Sequence, residues 1–178
     1  MKSLDIAAQY LGVQETEGSN DGPVLTAIRA CLMPAGTPPC SWCALFVAWA
    51  LCRAYGPVSQ IDYRRWLREA LDFEGPGGIP SKAAPWYVES CQSWWEYAMA
   101  TRIIVDHPQP GDLFILLNAD RHAHHMGFVT ATNPESEFET IEGNTNQGGS
   151  VNGDGVYRRT RTAGPRTVFV RIPETLRA

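Results

Sequence analysis

The order of the predicted elements indicates an α+β fold, in which helices come first and a short antiparallel sheet follows. Apolar residues recur at helical spacing through most of the first 100 residues. From Pro108 onwards, short strand-like segments alternate with turn signals such as Asn152-Gly153. A chain of 178 residues with 44% hydrophobic residues can bury a substantial core, and we expect a single domain over residues 1–178.

Five segments are predicted to be helices: residues 3–12, a stretch that ends near Met33, and residues 40–52, 61–73 and 86–100. The second helix needs a cap, and Ser19, Asn20 or Asp21 can supply the side-chain oxygen that accepts a free backbone N–H. The third segment, CSWCALFVAWALC, is apolar on nearly all sides. This composition is typical of a buried central helix.

The predicted strands cover residues 112–117, 124–131, 138–143, 156–161 and 167–172. Within the second strand, alternation places His125 and Gly127 on one face and His124 on the other. We expect the glycine to leave room for a helix to approach His125.

Charge and hydropathy exclude several classes of function. The formal net charge of −4 gives no positive footprint for nucleic acid or for an anionic surface. No apolar run approaches the ~20 residues of a membrane-spanning helix. The N-terminus, MKSLDIAAQYLGVQE, has an acid at Asp5 and no continuous apolar core. We therefore expect a chain without a signal peptide that is made in the cytoplasm.

The chain has five cysteines, an odd number that leaves at least one thiol free in any intramolecular pairing: Cys31, Cys40, Cys43, Cys52 and Cys91. Without a secretion signal, we expect the thiols to be reduced. Small core positions suit Cys31, Cys52 and Cys91. The odd count favours a reactive cysteine over a disulfide framework.

Cys43 differs from the other cysteines because it falls in the first turn of the predicted central helix. Free backbone N–H groups and the positive end of the helix dipole stabilise a thiolate there, and the same N–H groups can hold an oxyanion. Two other interpretations remain open. Cys40 and Cys43 form a C-x-x-C sequence, which can be a redox pair or, with His122 and His124, a zinc site.

A thiolate nucleophile needs a base, and the chain offers four histidines. His107 precedes a proline in a predicted loop and is most simply solvated. His122 and His124 share one face of a strand, and His125 lies on the other. From the residues alone, a strand histidine is as consistent with a structural position as with a catalytic one.

Four sequence blocks occur in an order that resembles a known family: SWCALFVAWAL, PQPGDLFIL, HHMGFV and TIEGNTN. Together with the N-terminal LGVQETEGSNDGP, they resemble the blocks of CHAP-type amidases, which belong to the NlpC/P60-like superfamily of papain-fold peptidoglycan hydrolases. The resemblance covers about residues 3–56 and 84–161. It implies a papain-like fold in which the nucleophile helix packs on the C-terminal antiparallel sheet.

The resemblance assigns roles to four residues. In the order nucleophile, base, orienting acid and supporting polar residue, they are Cys43, His125, Glu142 and Asn144. Alternation in an extended strand would place Glu142 and Asn144 on the same face. The chain departs from the family pattern at His124, where a glycine usually precedes the catalytic histidine.

The aromatic residues offer candidates for a substrate groove. Trp42 and Trp95 are the predicted substrate-binding residues, and Trp86, Tyr87 and Trp94 are further candidates. At helical spacing, each of them is also consistent with a position in the core.

The function implied by the resemblance is hydrolysis of an amide bond in the stem peptide of bacterial peptidoglycan, with no cofactor and no metal. We expect peptidoglycan as the partner and, for an effector exported by a dedicated secretion system, a cognate immunity protein. A phage endolysin released by a holin is the other route to the wall. The alternatives are a papain-fold thiol protease acting on protein, a zinc-dependent or thiol-redox protein, and a wall-binding module without activity.

Overall fold

The computed structural model describes residues 3–16, 19–54, 89–133, 135–148, 150 and 152–172. These residues form four α-helices and a six-stranded antiparallel sheet. The predicted α+β class is confirmed, and the arrangement is consistent with a papain-like fold. The helix predicted over residues 61–73 lies outside the described residues, as do the first three residues of the helix predicted over 86–100.

The helices are α1 (Ser3–Gln9), α2 (Pro23–Leu32), α3 (Cys43–Ala54) and α4 (Cys91–Thr101). The first helix is shorter than predicted because the chain turns before Gly12, which has a φ of 83°. The last helix begins after Ser90, whose side-chain oxygen accepts the backbone N–H of Ser93 at 3.3 Å. None of the helices in the described ranges is long and apolar enough to span a membrane.

The predicted cap of α2 is wrong in its position. Gly22, rather than one of the three predicted residues, is the N-cap, and it makes no side-chain cap bond. Asp21, the residue before the N-cap, stabilises the start of the helix with its side chain. Its carboxylate accepts the backbone N–H of Gly22 at 2.8 Å and the hydroxyl of Thr26 at 2.9 Å. The N–H of Gly22, then Arg29 and Thr26, lower the pKa of Asp21 to about 2. This segment therefore organises the start of α2.

The strands are β1 (Ile104–Val105), β2 (Leu113–Leu117), β3 (Ala123–Thr132), β4 (Glu137–Thr145), β5 (Gly155–Thr162) and β6 (Thr167–Val170). Their order in the sheet is β1-β6-β2-β3-β4-β5, and every neighbouring pair is antiparallel. The five predicted strands are confirmed as β2 to β6, with ends that differ by at most two residues. β1 was not predicted, because two residues are too few to show an alternating pattern.

Two apolar clusters cover the two faces of the sheet. The larger lies between the sheet and the helices, and residues 43–52 of α3 are all buried in it, as the sequence predicts. Along β2, Leu113 and Ile115 belong to this core, whereas Phe114 joins a smaller cluster with Val129 and Phe138. Because alternate residues of a strand point to opposite faces, the smaller cluster marks the face away from α3.

The start of α3 packs closely against β4 next to the end of the pairing between β3 and β4. Within the described residues, that pairing runs from Thr132 and Phe138 to Phe128 and Ile141. Gly143 then lies against α3, where an added Cβ would be 2.6 Å from Cζ3 of Trp42 and 2.8 Å from Cβ of Phe46. Only glycine permits this close approach.

The N-terminal segment closes over the beginning of β5, which is an edge strand. The backbone N–H of Gly12 donates to the carbonyl of Val156 at 3.0 Å, and the N–H of Val156 donates back to Val13 at 2.9 Å. The N–H of Glu15 donates to Asp154 at 2.7 Å. The early part of the sequence is thus joined to its last third.

Candidate active site

Cys43 is the first residue of α3. The carbonyl of Trp42 accepts the backbone N–H of Phe46 at 2.8 Å, which is the first hydrogen bond of the helix. The Cys43 thiol therefore lies at the positive end of the helix dipole, where a thiolate is stabilised. The residue is only 3% exposed, because it is packed within the larger apolar cluster.

A second thiol touches the first. Sγ of Cys91 lies 3.4 Å from Sγ of Cys43, within hydrogen-bond distance for two sulfur atoms. Cys91 is the first residue of α4, so two helix N-termini bring the thiols together. The sequence analysis placed Cys91 in the core, which is correct for its burial but misses this contact.

His125 and Glu142 form a buried pair. Nε2 of His125 lies 2.8 Å from Oε2 of Glu142, and both residues are fully buried. The other ring nitrogen, Nδ1, is buried without a hydrogen-bond partner of good geometry among the described residues. The imidazole also interacts with the Cys43 thiol, and this interaction favours the charged forms of both groups.

The electrostatics favour a thiolate and an imidazolium. The hydrogen bond from Cys91 lowers the pKa of the Cys43 thiol well below its usual value against the effect of burial. His125 and the backbone N–H of Met126 lower it further. Burial lowers the pKa of His125, but the interactions with Cys43 and Glu142 outweigh it and raise that pKa to about 9. Both shifts favour the charged thiolate and imidazolium over the neutral pair.

Glu142 accepts four hydrogen bonds. Besides His125, the hydroxyl of Thr140 donates to Oε1 at 2.5 Å, and the guanidinium of Arg161 donates to both carboxylate oxygens. Burial raises the pKa of Glu142, but Arg161 and then His125 outweigh it and lower that pKa to about 2. The carboxylate is therefore ionised wherever the protein is folded near neutral pH.

The glycine on the face of His125 has a different neighbour from the one predicted. An added Cβ on Gly127 would lie 2.8 Å from the carbonyl of Ile141, 2.9 Å from the Phe114 ring and 3.0 Å from Cγ of Glu142. The space is thus taken by Glu142 and Phe114 rather than by a helix. Gly127 lets the carboxylate approach His125 closely.

Asn144 lies where β4 leaves the regular strand conformation. Its φ is 57°, and the pairing with β5 shifts between Glu142 and Thr145. The alternation argument that placed Glu142 and Asn144 on one face does not apply to this turn of the chain. Both side-chain amide atoms of Asn144 are buried without a hydrogen-bond partner among the described residues. A buried polar group in a strained backbone is a feature of functional sites.

Residues 35–144 match the sequence model of the CHAP domain, which is more than half of the chain. The chain belongs to the CHAP family. Membership implies hydrolase activity on peptidoglycan, of the amidase or peptidase kind. No curated protein matches the chain.

The CHAP match contains all four residues that the sequence analysis selected, and it ends at Asn144. The structure brings three of them into one group, since His125 interacts with both Cys43 and Glu142. Arg161 lies beyond the match, and sequence reasoning missed it. Its only signal was an arginine in the segment VYRRTR, which read as an ordinary strand.

The structure separates the two neighbouring histidines of this CHAP domain. His124 is exposed, whereas His125 is buried beside Glu142. Partial burial, followed by the charge of His125, lowers the pKa of His124. The geometry thus favours His125 as the base.

The two tryptophans proposed to bind substrate differ. Trp42 is 2% exposed, and its indole N–H donates to the carboxylate of Glu15 at 2.6 Å. Its ring meets Phe46 edge to face at 6.3 Å. Trp42 is thus a core residue behind the nucleophile, and its burial does not fit a place in a substrate groove. Trp95 is half-buried and lines a cavity of about 400 Å³ with Phe169.

Three further aromatic residues were predicted as candidates for the substrate groove. Trp94 is fully buried, and Trp86 and Tyr87 lie outside the described residues.

The zinc hypothesis lacks an assembled ligand set. In the part of the chain that the structure describes, no three His, Cys, Asp or Glu side chains are grouped so that they can hold a metal ion. The proposed ligands Cys40, Cys43, His122 and His124 all belong to that part. The sulfur partner of Cys43 is Cys91 rather than Cys40, which also weakens the redox interpretation of the C-x-x-C sequence.

Proposed function

We propose that this CHAP domain cleaves an amide bond of the peptidoglycan stem peptide with Cys43 as nucleophile, His125 as acid and base, and Glu142 as the orienting carboxylate. The observation that carries the proposal is the buried pair of His125 and Glu142 at 2.8 Å, whose imidazole also interacts with the thiol at the start of α3. This is the arrangement that nucleophilic catalysis by cysteine requires.

The first half of the reaction forms a thioester. The Cys43 thiolate attacks the carbonyl carbon of the scissile amide, and a carbon–sulfur bond forms while the carbonyl electrons move to oxygen. Free backbone N–H groups in the first turn of α3, beginning with that of Cys43, stabilise this oxyanion. The imidazolium of His125 then gives its proton to the leaving amine as the carbon–nitrogen bond breaks.

The second half restores the enzyme. Neutral His125 takes a proton from water, and the water oxygen attacks the thioester carbonyl. The carbon–sulfur bond breaks, which releases the new carboxylic acid and regenerates the Cys43 thiolate beside an imidazolium. Glu142 keeps the ring oriented through Nε2 and stabilises its positive charge in both halves.

Asn144 supports the catalytic group from within the fold in this proposal. Neither of its amide atoms bonds to His125 or Glu142, and both lack a partner among the described residues. The residue is 0% exposed, so its amide is not open to the stem peptide.

The decisive experiment is mass spectrometry of purified diaminopimelate-type peptidoglycan after digestion by the wild type and by Cys43→Ala. We expect new fragments with the wild type alone. Their masses distinguish an N-acetylmuramoyl-L-alanine amidase from a stem-peptide endopeptidase. Equal fragments from both proteins would show that Cys43 is not the nucleophile.

A thiol protease acting on protein would use the same residues on another substrate. Parallel digestion of an unfolded protein separates the two functions. Cleavage of that protein, with no fragments from peptidoglycan, would favour the protease. Wall binding without cleavage of either would favour a module without activity.

A further inference from the structure

We propose that Arg161 is a positioning residue of the catalytic group, which acts on the reaction through Glu142 by keeping its carboxylate ionised and aimed at His125. The inference deepens the proposed function and rests on its assignment of Glu142. Nothing in the family match assigns this role, because the match ends at Asn144.

The contact between Arg161 and Glu142 is bidentate. Nε of Arg161 donates to Oε1, and Nη2 donates to Oε2. Oε2 is also the oxygen that meets Nε2 of His125, and Oε1 also accepts the hydroxyl of Thr140. With both oxygens engaged on two sides, the carboxylate cannot rotate away from the imidazole.

The charges of the buried group balance only with Arg161. The thiolate of Cys43 offsets the imidazolium of His125, so the carboxylate of Glu142 needs a separate cation. The side chain of Glu142 is fully buried, and that of Arg161 is 15% exposed. Without the guanidinium, burial would drive Glu142 to take up a proton, and His125 would lose its orienting anion.

Arg161 is itself held in place by the smaller apolar cluster. It pairs across the sheet with Phe138, and its guanidinium lies over the Phe114 ring at 5.6 Å. The same Phe114 ring lies 6.0 Å from the imidazole of His125 and 5.5 Å from Phe138. One aromatic ring therefore contacts both the base and the cation.

A merely structural ion pair and a positioning residue predict different results. Removal of a structural pair lowers the stability of the protein and leaves the reactivity of the folded fraction unchanged. Removal of a positioning residue changes the pH range over which the nucleophile is active. The measurement must therefore be a pH profile of Cys43 itself.

The experiment measures the rate of alkylation of Cys43 by iodoacetamide across pH, with peptide mass spectrometry to separate Cys43 from the other thiols. The variants are Arg161→Gln, Arg161→Lys and Arg158→Gln, the last removing an exposed arginine of the same strand. In Arg161→Gln we expect the acid limb to move up by about one pH unit, because a protonated Glu142 no longer supports the imidazolium. Arg161→Lys should show a smaller shift in the same direction, and Arg158→Gln none.

The same variants are then assayed on peptidoglycan. We expect Arg161→Gln to lower kcat about 10- to 100-fold with little change in KM, and Arg161→Lys to recover part of the loss. Folded Arg161→Gln with an unshifted alkylation profile would overturn the proposal. If that variant does not fold, an unshifted profile in Arg161→Lys overturns it instead. Alkylation needs no wall substrate, so a wrong substrate assignment would leave this test intact.

Discussion

The thiol of Cys43 and the carboxylate of Glu142 are held in different ways. The thiol lies where two helix N-termini meet, beside one other sulfur atom, and most of its surroundings are apolar. The carboxylate lies among three strands and accepts four hydrogen bonds, two of them from a guanidinium. Sulfur forms weak hydrogen bonds, whereas charge-assisted bonds to carboxylates are strong.

Hydrogen bonds and packing therefore hold different parts of the site. The imidazole of His125 is fixed in orientation by directional bonds to the carboxylate of Glu142. The Cys43 thiol is held by packing, and its charge depends on helix ends and on the neighbouring Cys91 thiol. Substitutions around the thiol and around the carboxylate should therefore differ in kind.

The largest effect is expected from loss of either reacting group. Cys43→Ala should lower kcat on peptidoglycan by about 10⁴-fold or more, and His125→Ala should do nearly the same. The double variant should be no worse than either single variant, because the two residues act as a unit. Activity within a few-fold of wild type in Cys43→Ala would refute the mechanism.

Glu142→Gln should come next and leave a measurable remnant. The amide keeps the shape of the side chain but cannot stabilise the imidazolium, so we expect kcat to fall about 10²- to 10⁴-fold. Circular dichroism on the same preparation checks that the loss of Arg161's partner has not unfolded the protein. A variant with full activity would show that the carboxylate side has no part in catalysis.

Glu142 and His125 predict opposite limits of stability with pH. The pKa of Glu142 is lowered from 4.5 to about 2, so its contribution to stability is present above pH 4.5 and is lost as pH falls through about 2. The pKa of His125 is raised from 6.5 to about 9, so its contribution is present below pH 6.5 and is lost as pH rises through about 9.

Thermal unfolding across pH tests both limits. Wild-type Tm should be highest between these two ranges, and the alkaline fall should be smaller in His125→Ala. The acid fall should be smaller in Glu142→Gln. Parallel curves for wild type and both variants would show that the pair does not couple protonation to folding.

The thiol side should respond more weakly. Cys91→Ala removes the hydrogen bond that lowers the pKa of Cys43, so alkylation of Cys43 at neutral pH should slow by about fivefold. Cys91→Ser keeps a donor and should lose less. Cys52→Ala is the matched control, because it removes a buried thiol of α3 that lies about two and a half turns from Cys43. An equal slowing in Cys52→Ala would assign the effect to packing.

The smallest effect is expected at His124. His124→Ala should change kcat by less than about threefold, because the side chain is exposed and makes no bond with Glu142. The assay is the same digestion of peptidoglycan. A loss as large as that of His125→Ala would exchange the roles of the two histidines.

Much of the fold was predictable because it depends on local patterns. The apolar run of α3, the alternation in β3 and the turn signals between strands each reflect a few neighbouring residues. The four sequence blocks selected Cys43, His125 and Glu142, which the structure brings into one group. The apolar run also predicted Cys43 in the first turn of its helix, where the structure places it.

The partners of those residues were not predictable, because each contact joins distant parts of the chain. Cys91 meets Cys43 only after two helices converge, and Arg161 meets Glu142 only after β5 pairs with β4. Alternation failed at Asn144, since a left-handed residue resets the pattern. Trp42 was predicted to bind substrate because the local sequence does not show that Gly143 packs against its ring.

The order of the site residues along the chain also determines when the site can form during synthesis. A ribosome makes the helix that begins at Cys43 before it makes His125, Glu142 and Arg161. The pairing of Gly12 and Val13 with Val156 cannot form until Val156 has been made. A nascent chain thus carries the Cys43 thiol without the imidazole and the carboxylate until the later strands are synthesised.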